Sequence, residues 1–218
     1  MCIALGMELS AKSPKVAPSF AWTLSDPLGL RLPSTIDTLH INYAQTMVPS
    51  LRSNAWATTG NYGAEGQNQI FFDRKEHSQF FFEDALSTWL TSVENQTFYN
   101  TRIPMTLLSY TTGGNKYSNQ DRTTGVFSGN VNKKIALGAA MDYIYSKGSY
   151  NYQADKDFSW RLFGSYIGDR YEFQGFFNNY NFLNKESGGI TDDRYITDPG
   201  SVQGGDTRVD DKSIPTRL

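Results

Sequence analysis

Apolar and polar side chains alternate along five segments in the second half of the chain. In IALGAAMDYIYSK, which begins at Ile135, the odd-numbered positions are mostly long and apolar, while the even-numbered positions are mostly small and include Asp142. Because successive side chains of a β-strand point to opposite faces, this split predicts a strand with one apolar and one thin, polar face. The other four predicted strands are TRIPMTLLSYTT, DRTTGVFSGNV, DFSWRLFGSYI and YEFQGFFNNYNF.

The connections between these predicted strands alternate between long and short. GGNKYSNQ and GSYNYQADK are long loops, whereas NKK and GDR are tight turns that contain residues tolerant of positive φ. This rhythm is typical of an up-and-down antiparallel meander. The predicted fold class is therefore all-β.

Two architectures produce strands with one apolar and one polar face. In a soluble sandwich or lipocalin-like barrel the apolar face lies in the core, whereas in a transmembrane barrel it meets lipid and the polar face lines a wet interior. Three details favour the membrane barrel: small residues on the polar face, aromatic residues near strand ends, and the alternation of short and long connections. Ile144, Phe163 and Phe176 are apolar exceptions on the polar face.

The first half of the chain has little sustained periodicity and contains most of the prolines. TLHINYA, from Thr38, predicts one strand, and the charged turn DRKEHS between two phenylalanine clusters predicts a hairpin connection. We divide the chain into three parts. Residues 1–20 are a damaged signal peptide or a disordered start, residues 21–98 a pre-barrel region (periplasmic or plug-like), and residues 99–218 the first five strands of an incomplete transmembrane β-barrel plus a long loop.

Composition and charge exclude several classes of protein. Lysine and arginine number 20 against 22 acidic residues, a net charge of −2 that predicts no nucleic-acid partner. The mean hydropathy of −0.49 is that of a soluble chain, but alternation hides an apolar face from any average. The longest nearly apolar run, IALGAAM, is far short of the roughly 18 residues of a spanning helix. The single cysteine, Cys2, excludes an intrachain disulfide.

The sequence contains no motif of catalysis, metal binding or phosphate binding. His40 and His77 have no metal-ligand spacing, GxSxG does not occur, and GNYGAEG lacks the Lys-Ser/Thr of a phosphate-binding loop. Asp192, Asp193 and Asp198 do not have the spacing of a calcium loop. We therefore expect no enzyme activity, no metal and no cofactor.

Several stretches of the chain together resemble one known family. They are SNAWATTGNYGAEGQNQIFFDRKEHSQFFFEDAL, FYNTRIPMTLLSY, FSGNVNKKIALGAAMDYIYSKGSYNYQADKDFSW and YNFLNKESGGITDDRYITDP, which span about Asn54 to about Pro199. These segments resemble the outer-membrane porin family of Bacteroidetes. The resemblance implies a β-barrel of the cell outer membrane, preceded by an N-terminal region, with a pore function. Complete members continue through more strands, so we expect this chain to be an N-terminal fragment.

If the polar face lines a lumen, the charged side chains belong there, because charge on the lipid face costs roughly 2–4 kcal/mol near the midplane. The pore-lining candidates are Arg102, Arg122, Asp142, Asp157, Arg161, Glu172 and Gln174. The lipid-facing candidates are Ile135, Leu137, Met141, Tyr143, Trp160, Leu162 and Phe173. Two roles are open for the lumen charges, namely solute selectivity and cross-strand ion pairs that stiffen the wall.

We therefore predict an outer-membrane porin that lets small solutes diffuse passively through a polar lumen. The expected partners are outer-membrane lipid, the barrel-assembly machinery and small solutes, and the oligomeric state is open. The alternative from another class is a soluble β-sheet module that binds, for example, carbohydrate through exposed Tyr and Trp residues. A barrel acting as an outer-membrane enzyme or secretion accessory is less favoured, since no Asp/His/Ser constellation is evident.

Overall fold

The computed structural model describes residues 19–25, 29–36, 55–74, 81–115, 118–148, 152–186, 192–198 and 201. Within these ranges the strands are β1 Phe20–Leu24, β2 Arg31–Ser34, β3 Trp56–Thr58, β4 Gly66–Asn68, β5 Phe98–Asn100, β6 Met105–Gly114, β7 Asn119–Asn130, β8 Ile135–Lys147, β9 Ala154–Ile167 and β10 Glu172–Lys185. The 3-10 helices are Phe71–Asp73 and Phe81–Leu86, and α1 is Arg194–Thr197. In the part of the chain described, no helix is long and apolar enough to cross a membrane. The strand predicted at TLHINYA lies outside the described residues.

Strands β6 to β10 form one antiparallel sheet in which each strand pairs with its neighbours in sequence. This sheet is the predicted up-and-down meander, and the all-β fold class is confirmed. Strand β8 has the predicted bounds. Strands β9 and β10 are longer than predicted, because their pairing continues to Ala154 and Lys185. Strand β6 begins at Met105, four residues later than predicted, directly after Pro104, which has no N–H to donate to a ladder.

The hairpin predicted around DRKEHS is wrong, because the described residues on its two sides form 3-10 helices rather than strands. Local hydrogen bonds explain the first of these 3-10 helices, Phe71–Asp73. Asn68 Oδ1 accepts from the N–H of Ile70 at 2.9 Å, and the backbone carbonyl of Asn68 accepts from Arg74 Nε at 2.8 Å. Bonds between side chain and backbone of this kind offer the chain a turn in place of a ladder.

Two small antiparallel sheets precede the meander. One has the strand order β2-β1-β5, and the other is the pair β3-β4. Strands β1 and β2 escaped the sequence prediction because they are short and because β2 contains Pro33. That proline is tolerated because β2 lies at the edge of its sheet.

The apolar core lies where the small β2-β1-β5 sheet meets the meander. The ring of Phe98 on β5 lies 5.9 Å from that of Trp22, 6.3 Å from that of Phe163 and 6.4 Å from that of Phe176, measured between centroids. Phe163 and Phe176 are two of the three apolar exceptions on the polar face. They face the earlier part of the chain, and burying them there removes their apolar surface from water.

Candidate functional site: the inner wall of the meander

The two faces of the meander have opposite chemistry. One face, the outer wall, exposes large apolar side chains: Leu108, Tyr110, Phe127, Leu137, Met141, Phe158, Trp160, Leu162, Tyr166, Phe173, Phe177 and Leu183. The other face, the inner wall, packs against the described residues between 19 and 100, which we call the N-terminal segment. The inner wall buries small and polar side chains such as Ala136, Ser128 and Asp157. Small residues on this face therefore leave room for the N-terminal segment.

Arg122 on β7 is held at the inner wall by two partners. Its Nε and Nη2 atoms donate to the two carboxylate oxygens of Asp142 on β8 at 3.1 and 2.6 Å. Its Nη1 atom donates to the Tyr62 hydroxyl at 3.1 Å. Bidentate, charge-assisted pairs are stronger than neutral hydrogen bonds. Since Tyr62 lies in the turn between β3 and β4, these contacts tie that turn to the wall.

The surroundings of Tyr62 keep its phenol neutral and fixed. Burial raises the pKa of the Tyr62 phenol above its ordinary value near 10, although the Arg122 charge acts in the opposite direction. The Tyr62 ring meets the Trp89 ring edge-on at 5.1 Å, and Trp89 Nε1 donates to the carbonyl of Ala64 at 3.0 Å. The neutral hydroxyl thus serves as an acceptor for Arg122 throughout the physiological pH range.

Thr91 is the second point at which the N-terminal segment is tied to the wall. Its hydroxyl accepts from Arg161 Nη1 at 2.7 Å, and its backbone N–H donates to the Tyr180 hydroxyl at 2.8 Å. Its carbonyl accepts from Asn178 Nδ2 at 3.3 Å. Three polar groups of this half-buried residue are therefore satisfied by side chains from β9 and β10.

The third notable place on the inner wall is an acidic pair on β9. Asp155 and Asp157 are 0% and 3% exposed, and neither carboxylate has a hydrogen-bond partner among the described residues. The turn of Gly63 (φ +105°) lies over Asp157, because a Cβ on Gly63 would lie 2.6 Å from Asp157 Oδ2. The sequence predicts a loop at Asp155, whereas the structure has it in β9. Asp155 lies two residues before Asp157, so extending the alternation of β9 by one step toward the N-terminus would have identified it.

The predicted pore-lining residues fall into two groups. Arg122, Asp142, Asp157, Arg161 and Gln174 lie on the inner wall. Glu172, at the start of β10, is exposed and pairs with Arg31 at 2.6 Å, and Arg102 is exposed in the connection before β6.

The predicted lipid-facing residues lie on the outer wall: Ile135, Leu137, Met141, Tyr143, Trp160, Leu162 and Phe173. The roles of both groups stay predictions. Sequence reasoning missed Tyr62, Thr91 and Tyr180, whose contacts join distant parts of the chain.

The acidic residues beyond β10 are engaged locally. Asp192 accepts from Arg194 Nη2 at 2.5 Å and from its Nε at 2.9 Å, and these bonds lower the pKa of Asp192 to about 2. Among the residues that the structure describes, no group of three or more His, Cys, Asp or Glu side chains is placed to hold a metal ion.

An antiparallel meander that exposes its apolar face and buries its charged face has the side-chain distribution of a membrane-embedded β-protein. The comparisons with known proteins agree with this class. The model of the family described as "Putative porin" matches residues 20–218. The chain therefore belongs to this porin family, whose membership indicates a membrane-embedded channel and favours it over a soluble binding module. No curated protein and no solved structure matches the chain.

Replacing Tyr62 with phenylalanine is expected to loosen the turn between β3 and β4. The loss of one hydrogen bond to a charged group costs about 1–2 kcal/mol here, since Arg122 keeps Asp142 and regains some water. Amide hydrogen exchange at Ala64, whose N–H donates to the Asn61 carbonyl, is expected to become about tenfold faster. The control is Tyr171→Phe, because that side chain is 79% exposed. Equal exchange at Ala64 in both variants would contradict the assigned role of the Tyr62 hydroxyl.

Proposed function

We propose that the chain contributes to the wall of an outer-membrane porin, through which small solutes diffuse passively along a polar lumen. The observation that carries the proposal is the division of the meander into an exposed apolar outer wall and a charged inner wall. Apolar side chains lower their free energy by roughly 25 cal/mol for each Å² moved from water to a hydrocarbon surrounding. Lipid is the surrounding in which this outer wall is stable and the inner wall keeps its charges away from hydrocarbon.

The inner wall supports diffusion rather than chemistry. Arg122 and Asp142 form an ion pair across β7 and β8, while Arg161 donates to a neutral hydroxyl. Where Arg122 and Asp142 pair, the wall presents hydrogen-bond donors and acceptors to a passing hydrated solute without a strong net field. This arrangement favours polar, weakly charged solutes. The charges thus serve both solute selectivity and the stiffening of the wall by cross-strand ion pairs.

We further propose that the N-terminal segment occupies the lumen as a plug instead of lying in the periplasm. Three sets of contacts support this proposal: Tyr62 with Arg122, Thr91 with three inner-wall side chains, and Phe98 with Phe163. All three lie on the face that the membrane proposal assigns to the lumen. A solute path along this wall would open when these contacts are released.

Outer-membrane lipid contacts the outer wall, and the barrel-assembly machinery inserts the strands. Neither role involves nucleic acid. Bacterial barrels close with roughly eight or more strands, so we propose that further strands complete the wall beside the five in this meander.

The test is solute flux through liposomes that contain the full-length gene product in outer-membrane lipid. Swelling in neutral sugars of increasing size measures passive diffusion. A triple variant, Arg161→Ala with Asn178→Ala and Tyr180→Phe, removes the side-chain groups that bind Thr91 and is expected to raise the swelling rate several-fold. The matched control is Ser159→Ala, another inner-wall polar residue of β9, for which flux is expected to stay unchanged.

Two outcomes would contradict the two proposals separately. If both the unmodified protein and the triple variant insert correctly but admit no sugar, the porin proposal is wrong. If both admit sugar at the same rate, the N-terminal segment does not restrict the lumen.

A further inference from the structure

The acidic pair on β9 has further oxygen-bearing side chains on the neighbouring strands. Ser146 on β8 and Asn184 on β10 are the cross-strand partners of Asp155, one on each side. Both carboxylate oxygens of Asp155 and Asp157, together with Ser146 Oγ and Asn184 Oδ1, are buried and have no hydrogen-bond partner in the described part of the chain. Six buried oxygen atoms from three adjacent strands are therefore left unsatisfied, although natural structures satisfy most buried polar atoms.

The pair carries negative charge, and in the described part of the chain no Lys or Arg side chain is among the charges that act on it. Glu65 and Glu186 are close enough to add their electrostatic repulsion to that between the aspartates. The neighbouring lysines do not help, because they lie on the outer wall and are exposed: Lys147, Lys156 and Lys185. The backbone N–H of Lys185 lies near Asp155 without hydrogen-bond geometry. An unpaired buried carboxylate is strongly disfavoured, so a positive charge from elsewhere must compensate this pair.

Protons or a metal cation can neutralise such a pair. The four carboxylate oxygens accept no hydrogen bond from Ser146 or Asn184, so their lone pairs are free for another ligand. Ca²⁺ takes carboxylate, hydroxyl, amide and carbonyl oxygens as ligands at roughly 2.3–2.6 Å, and oxygens of the first three kinds lie on neighbouring strand positions here. Two carboxylates balance the charge of one divalent cation.

We infer that Asp155 and Asp157 bind a divalent cation of the Ca²⁺ class, with Ser146 Oγ and Asn184 Oδ1 as further ligands. Only two of these donors are carboxylates, so the site differs from a cluster of three or more acidic or histidine ligands. The Gly63 turn lies directly over Asp157, and the cation therefore stabilises the contact between the N-terminal segment and the inner wall. Its effect on solute flux rests on the proposed function, whereas binding itself does not.

The experiment measures Ca²⁺ binding to the full-length protein in detergent after removal of metals with EDTA. Isothermal titration with CaCl₂ is expected to show one saturable site, and hydrogen exchange of residues 60–66 is expected to slow when Ca²⁺ is added. The double variant Asp155→Asn with Asp157→Asn should fold, because neutral amides of the same shape replace the charges, and it should show no saturable binding. The control, Asp169→Asn with Asp198→Asn, changes two exposed acids and should bind as the unmodified protein does.

Three results would overturn the inference. The first is an absence of saturable binding to the folded, unmodified protein, and the second is unchanged binding to the Asp155→Asn/Asp157→Asn variant. The third is slower exchange at residues 60–66 on acidification in EDTA together with no response to Ca²⁺, which would show that protons neutralise the pair. None of these readouts depends on flux, so a failure here is distinguishable from a failure of the porin proposal.

Discussion

Replacing Leu162 with arginine is expected to lower the free energy of unfolding from lipid by about 2–4 kcal/mol. Leu162 lies on the outer wall near the centre of β9, with Ala139 and Phe177 beside it in register, and its side chain is 52% exposed. If that side chain meets hydrocarbon, a guanidinium in its place must be desolvated or must bend toward the interface. Urea-induced unfolding from vesicles of outer-membrane lipid measures the change.

The matched control for this substitution is Tyr171→Arg. Tyr171 precedes β10 beside a tight turn, where a cation is expected to cost about 0–1 kcal/mol because it reaches the headgroup region. A soluble sheet would respond differently, since an exposed Leu→Arg change in water stays within about 0.5 kcal/mol. Similar small effects at both positions would thus show that the outer wall faces water.

Replacing Gly138 with valine is expected to disrupt the packing between the meander and the N-terminal segment. Gly138 on β8 lies opposite Phe163 on β9, and a Cβ added to it would overlap the Phe163 ring and lie 2.8 Å from the Phe127 carbonyl. Phe163 cannot move freely, because its ring packs against Phe98. Overpacking of this kind costs about 1–3 kcal/mol, and here it also displaces the apolar core.

The measurement for Gly138→Val is the midpoint of thermal unfolding together with hydrogen exchange of β5. Both are expected to show destabilisation, and exchange at Phe98 should accelerate more than exchange at the far end of β10. Gly113→Ala is the control, because a Cβ at Gly113 meets nothing within 4 Å. Should valine at position 138 behave like alanine at position 113, the close packing of Phe163 on Gly138 would be wrong.

The meander could be predicted from the sequence because its signal is local. A two-residue period needs only the side chains of one strand to show which of them share a face, and β8 was assigned its bounds from this period alone. The turns were identified for the same reason, since Asn, Asp and Gly mark tight turns within a few residues. Strand ends were less certain, because pairing with neighbours extended β9 and β10 beyond the clear alternation.

The N-terminal segment could not be placed from the sequence because its contacts are long-range. Tyr62 and Arg122 are 60 residues apart, and Thr91 and Arg161 are 70 residues apart. Neither pair has a spacing that identifies it. The sequence does contain one sign of this docking. Phe163 and Phe176 are apolar residues on a polar face and need an apolar partner, and in the structure both contact Phe98.

The ion pair between Arg31 and Glu172 joins residues 141 positions apart, and with the contacts of Tyr62 and Thr91 it bears on how the protein assembles. A segment near the start of the chain completes its packing only after β7 to β10 have formed. Closing such long loops costs conformational entropy before the stabilising contacts form. This cost slows folding. We therefore expect docking of the N-terminal segment to be a late step, so that a newly made chain must be kept from aggregating until the strands of the wall are in place.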